Sequence, residues 1–166
     1  VIGEGCTIRE YVTIHRGTEE DSYTRVGNHV MLMAFSHLRH NCQIGDHVTV
    51  ANATLLAGRV EVERNAFISA GCMVHQFARI GRLAMVGGGN PITQDVPPFC
   101  MLQEKSIQGI NAVGLRRANW SAEARSPCAE SFCGLLSLLT GKQGHKLASR
   151  DFGLVEVLGL HGYKRH

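Results

Sequence analysis

The residues of this chain best suited to chemistry are two pairs. His37 and His40 stand three positions apart in the run Ser36-His-Leu-Arg-His-Asn-Cys-Gln-Ile-Gly-Asp46, and His75 and Gln76 are neighbours further along. Imidazole has an ordinary pKa near neutrality, so a histidine held outside a core can take up and return a proton at working pH. Arg59 falls between the two pairs and adds a planar positive fork suited to phosphate or carboxylate. Two histidines, an arginine and a glutamine in one place would suit an anionic substrate that carries hydroxyl groups. Each histidine alone reads better as a solvated or hydrogen-bonded surface residue. Only convergence makes a site, and convergence depends on the elements that carry these residues.

Leu38 and Ile44 belong to a register in which every sixth residue from Ile2 to Ile92 is aliphatic, with Glu20 the one exception. Four residues beyond each rung the occupant is mostly small or β-branched, as at Cys6, Thr24, Ser36, Cys42, Ala66 and Cys72. A period of six matches neither the 3.6-residue helix nor the alternation of a strand. It marks a parallel β-helix, an all-β fold in which each repeat is one short flat strand and a corner. Three repeats close a triangular coil of eighteen residues, so residues eighteen apart stack on strands about 4.8 Å apart. By that arithmetic His40, Gly58 and Gln76 form one column, Asn41, Arg59 and Phe77 the next, and Arg39, Ala57 and His75 the one before. The candidate residues then lie within two strand spacings, roughly 10 Å, at a corner whose side chains point outward. Glu20 falls in the stretch from Gly17 to Arg25, rich in charge and turn formers, where an outward loop that keeps the register is expected in place of one repeat.

The register ends at Asp95-Val-Pro-Pro98, because two prolines cannot donate to a ladder. Residues 1–98 are therefore expected to be β-helix, and residues 99–166 a linker containing Gly109 and Gly114 followed by a partly helical C-terminal region. Within that region Ser121 and Glu123 read as a helix start and Ala129 to Thr140 as a short apolar helix. The six cysteines include no C-x-x-C pair, and Cys6, Cys42 and Cys72 fall on the small interior position. That argues for core filler in a reducing compartment, the cytoplasm, and against a disulfide framework or a zinc ribbon. A net charge of +3 is too weak and dispersed for a nucleic-acid footprint. No run approaches the roughly 18 apolar residues of a membrane span. The opening residues show no targeting pattern. The uncovered strand edge at residue 2 reads as the later part of a longer chain.

Eight motifs in order carry a resemblance: Thr13-Ile-His-Arg-Gly-Thr18, the run from Ser36 to Gly45, Val50-Ala-Asn52, Leu56-Ala-Gly58, Val74-His-Gln-Phe77, Met85-Val-Gly-Gly88, Asp95-Val-Pro-Pro98 and Gly114-Leu-Arg-Arg117. Over about residues 1–125 the chain resembles the UDP-N-acetylglucosamine O-acyltransferases of lipid A biosynthesis, a family of hexapeptide-repeat acyltransferases. The resemblance implies a left-handed β-helix and a homotrimer with clefts between subunits. It implies transfer of a 3-hydroxyacyl chain from acyl carrier protein to the 3-hydroxyl of UDP-N-acetylglucosamine, the first step of that pathway, with no metal and no cofactor. Carried over residue by residue, His40 is the general base with Asn41 beside it. Gly58 offers its backbone N–H to the thioester oxyanion. His37, Arg59, His75, Gln76, Asn111 and Arg117 hold the sugar nucleotide. Gly88 lies where the family limits acyl length.

The chain departs from the pattern at several of these positions. Asn41 stands where the family has Asp, Arg59 where it has His, and Val113 and Ala118 where it has polar contacts. Arg59 stacks one coil above Asn41 and would neutralise a carboxylate placed there, so these two departures read as a pair. Three alternatives stay open. The sister N-acyltransferase of a UDP-glucosamine derivative also has Asn after its histidine. The γ-class carbonic anhydrases use the same fold with three histidines on zinc, and eighteen-residue stacking sets no third histidine beside His37 and His40. An inactive β-helix would carry altered residues of this kind.

Overall fold

In the computed structural model, which describes residues 1–121, the six-residue register becomes three parallel sheets wound around one core. The first face stacks Thr7–Ile8, Met31–Leu32, Thr49–Val50, Phe67–Ile68 and Met85–Val86. The second stacks Thr13–Ile14, His37–Leu38, Leu55–Leu56, Met73–Val74 and Pro91–Ile92. The third stacks Arg25–Val26, Gln43–Ile44, Glu61–Val62 and Arg79–Ile80. The second residue of each rung points inward, and Leu32, Leu38, Val50, Leu56, Ile68, Ile80 and Val86 are fully buried. The small position four residues on is interior as well, with Ser36, Cys42, Thr54 and Cys72 all at 0% exposure. Bulkier residues there would overpack the corners. The cysteines of the described residues are free thiols; burial pushes Cys42 up to about 11 and Cys100 up to about 12.

Most turns place one residue in the left-handed region at a fixed step before the interior position, including Tyr11, Phe35, Asn41, Arg59 and Phe77. Such a conformation is uncommon outside glycine and is easiest for asparagine. Asn41 therefore has a local reason to be asparagine in addition to any chemical one.

Strand partners lie eighteen residues apart from the second coil to the Pro91–Ile92 rung, as in His37↔Leu55 and Leu55↔Met73, and sixteen apart in the last coil, as in Ile80↔Val96 and Met85↔Met101. In the first coil they lie twenty-four apart, as in Thr7↔Met31 and Thr13↔His37. The stretch expected to loop out around Glu20 does so, and its six extra residues leave the register intact. Gly17 is needed where the loop folds back, since a Cβ there would lie 2.0 Å from the carbonyl oxygen of Ser22.

The sheet continues past Pro98. Cys100–Gln103 adds a parallel rung to the first face beside Met85–Val86, and Ser106–Ile110 turns back against it antiparallel. The expected linker is thus a hairpin. The prolines do not break the ladder because they occupy a corner, where Phe99 takes the left-handed conformation and no ladder N–H is required. Helix α1, Ala112–Arg117, follows. Leu115 packs with Leu83 and Phe99 in a second small core, against which Trp120 lies. The helices expected from Ser121 and over Ala129 to Thr140 lie outside the described residues. No helix among the described residues is long and apolar enough to cross a membrane.

Candidate active site

The corner after the second face carries residues 39–41, 57–59 and 75–77 in the columns that eighteen-residue stacking requires. His40 rests directly on Gly58: a Cβ at Gly58 would come within 2.5 Å of His40 Cε1 and 2.7 Å of its Nε2. Any side chain at position 58 would occupy the space of the imidazole. Among the described residues the Gly58 N–H takes part in no hydrogen bond, and the amides of His40 and Gln76 at the same turn position are alike in this. The free amide is thus a property of the turn, and glycine makes it reachable beside Nε2.

On its other side the His40 ring is held by Asn41, with Nδ1 2.9 Å from Asn41 Oδ1. That oxygen also accepts from the Thr18 N–H at 3.3 Å, and the Thr18 hydroxyl shares its one proton between this oxygen at 3.0 Å and Glu19 Oε2 at 2.9 Å. The Asn41 Nδ2 donates to Glu19 Oε2 at 3.3 Å, and the other Glu19 oxygen is paired with the Arg59 guanidinium. Hydroxyl groups of Ser22 and then Thr18, with smaller help from Arg59, hold the Glu19 carboxyl down to about 2, so it is charged at any working pH. The expected pairing of positions 41 and 59 is indirect: both side chains meet on Glu19, a loop residue that stacking arithmetic leaves out.

His37 lies on the adjacent rung, its Nδ1 2.6 Å from the Thr13 hydroxyl and its ring edge-on to His15 at 4.8 Å between centroids. Burial, then the neighbouring His15 and Arg39, lower the His37 pKa and favour its neutral form. Here the eighteen-residue arithmetic fails, because a third histidine does stand beside His37. His15 reaches it through the twenty-four-residue first coil. No group of three or more His, Cys, Asp or Glu among the described residues is arranged to hold a metal ion. His75 and Gln76 are exposed at the same corner, with His75 Nδ1 3.1 Å from the Gln76 carbonyl oxygen.

The remaining candidates lie elsewhere. Gly88 is at the corner before the second face, on the opposite edge from His40. Asn111 caps helix α1, accepting from the Gly114 N–H at 2.9 Å and donating to the Leu83 carbonyl at 2.8 Å. Arg117 is exposed at the end of that helix, with Val113 and Ala118 beside it also exposed. Within one chain, Asn111 and Arg117 sit by the third corner, through Leu83, away from His40.

The chain is built like known transferases. The family model of the bacterial transferase hexapeptide (six repeats) matches residues 23–58, and that of UDP-N-acetylglucosamine O-acyltransferase, domain 2, matches residues 95–138. An acyl-[acyl-carrier-protein]–UDP-N-acetylglucosamine O-acyltransferase of Synechocystis sp. is 47% identical over 133 residues, which are 79% of this chain and 48% of that protein. The crystal structure of Francisella novicida UDP-N-acetylglucosamine acyltransferase superposes with a TM-score of 0.82 at 30% identity, over 97% of this chain and 58% of that one. The Campylobacter jejuni enzyme of the same name gives 0.82 at 33% identity, over 94% and 60%. Fold and corner are similar to those of hexapeptide-repeat transferases. Within that class the chain is most like the UDP-N-acetylglucosamine O-acyltransferases, and it spans about half the length of the curated relatives it matches.

Proposed function

We propose that this chain carries the catalytic half of an enzyme that moves a 3-hydroxyacyl chain from acyl carrier protein to the 3-hydroxyl of UDP-N-acetylglucosamine, in the cytoplasm, as the first step of lipid A biosynthesis. The observation that carries the reading is His40 seated on Gly58 with its Nδ1 taken by Asn41. An imidazole that donates through Nδ1 keeps a lone pair on Nε2, the nitrogen against Gly58. That nitrogen removes the proton from the sugar 3-hydroxyl as its oxygen attacks the thioester carbonyl. The oxyanion so formed accepts from the free Gly58 N–H. Collapse expels the carrier's thiolate, which takes the proton back from the imidazolium.

His37, His75 and Gln76 line the same corner and hold the sugar nucleotide, with Arg59 adding positive charge. Asn111 and Arg117 come to this site from a second copy, because one chain leaves them by another corner. That separation supports a homotrimer with clefts between subunits, and those clefts need no group beyond the side chains named. The test is an assay of the purified chain with 3-hydroxyacyl carrier protein and UDP-N-acetylglucosamine. His40→Ala is expected to fold normally and lose about 10²–10⁴ in rate. Retention of most activity would remove His40 from the mechanism. Acylation of a UDP-amino sugar in preference would favour the sister N-acyltransferase reading.

A further inference from the structure

We infer that Glu19 is a positioning residue for His40, acting through the Asn41 amide, and that Arg59 serves to hold Glu19. This rests on His40 being the base. An asparagine beside an imidazole can present either its oxygen or its NH₂ to Nδ1. Oxygen requires the proton on Nδ1 and leaves Nε2 free to act; NH₂ requires the reverse and leaves no base on the Gly58 side. Nothing in Asn41 itself chooses between them.

Its neighbours choose. The Thr18 N–H, 3.3 Å from Asn41 Oδ1, can only donate, and the Glu19 carboxylate, 3.3 Å from Nδ2, can only accept. A flipped amide would put NH₂ against N–H and oxygen against carboxylate. The Glu19 side chain is held from behind by Arg59, whose backbone N–H donates to the His40 carbonyl 2.9 Å away. Arg59 and Asn41 thus meet the same carboxylate from neighbouring coils. The result is a chain of contacts from Arg59 through Glu19 and Asn41 to His40, with a carboxylate one amide removed from the ring. An adjacent aspartate would fix the tautomer directly; here the loop residue does so at second hand. Glu19 lies outside the aliphatic ladder and is exposed, so the fold does not need it.

Imidazole ¹⁵N NMR above pH 8 reads the tautomer without any turnover. The wild-type chain is expected to show His40 with its proton on Nδ1, and Glu19→Ala to shift a large fraction to Nε2. In the transfer assay Glu19→Ala is expected to lower kcat by about 10-fold to 100-fold, with both KM values within about twofold. Asn41→Asp in the Glu19→Ala background then restores kcat, because the new carboxylate meets Nδ1 itself. Alone, Asn41→Asp lowers it, because the new charge faces Glu19. An unchanged tautomer in Glu19→Ala, an unchanged kcat, or no recovery in the double variant overturns the assignment. If the wild-type chain transfers no acyl group, the proposed function fails while the tautomer measurement still decides the role of Glu19.

Discussion

As the proposed base, His40 needs Nε2 unprotonated and facing the hydroxyl it deprotonates, and small neighbours set both conditions. Gly58 governs the second. Its backbone is outside the left-handed region, so alanine is conformationally acceptable there, but the added methyl would overlap the imidazole at 2.5 Å from Cε1. The ring must then move while the amide stays. A displacement on the order of 1 Å can reduce a rate by about 10². Gly58→Ala is therefore expected to lower kcat by about 10²-fold with a normal circular dichroism spectrum and a melting temperature within a few degrees. Near-normal turnover would mean that the contact between ring and glycine has no part in catalysis. His40, Gly58, His75 and Gln76 were legible in the sequence because eighteen-residue stacking holds over that stretch without interruption. Asn111 was expected as a binding residue only through resemblance; its side chain is engaged by a helix cap and by the Leu83 carbonyl, contacts that depend on where the hairpin returns.

At the level of elements, one loop accounts for most of what the repeat could not foretell. The stretch from Gly17 to Thr24 leaves the ladder at one turn and rejoins it at the equivalent step of the next, so Thr24 takes the buried position that residue 18 would otherwise fill. A register of six survives the insertion, but a stacking rule of eighteen does not. That is why His15 was not placed beside His37, nor Glu19 beside Asn41 and Arg59. The hairpin after Pro98 escaped for a different reason: proline forbids a ladder position but not a corner, and the sequence shows no rung to distinguish the two. The loop also makes a clean test of element against scaffold. Removing residues 18–23 joins Gly17 to Thr24 and restores an uninterrupted hexapeptide. Closing a loop of this length contributes little to stability, so the melting temperature is expected to change by only a few degrees. Turnover is expected to fall at least as far as in Glu19→Ala. A deletion variant that unfolds would show that the loop is part of the scaffold, and one with full activity would show that it serves neither.

Over the whole molecule, the second face joins the two corners that carry His40 and Gly88. Its outward residues change from His37 through Leu55 and Met73 to Pro91, and Leu55 and Met73 remain 44% and 55% exposed. Exposed apolar side chains in line across a sheet offer a track for a hydrocarbon chain or a face for a second copy, and in a trimer one cleft serves both. From the His37 rung to the Pro91 rung is three strand spacings, roughly 14 Å, and Gly88 stands at the far edge of that climb. A donor whose thioester lies at His40 would therefore run diagonally up this face and end near Gly88. A Cβ at Gly88 would meet the Ala70 carbonyl oxygen at 3.2 Å and Ser69 Cβ at 3.8 Å, close enough to need a small adjustment but not a refolded corner. The backbone there is not left-handed, so a larger residue is tolerated and its side chain fills the end of the track. Gly88→Met is expected to shift preference to donors shorter by several carbons, with kcat on the preferred short donor close to that of the wild-type chain on its own. Competition between acyl carrier proteins loaded with different chain lengths measures this directly. An unchanged length profile in a folded Gly88→Met variant would end the acyl path elsewhere and leave Gly88 a corner residue alone.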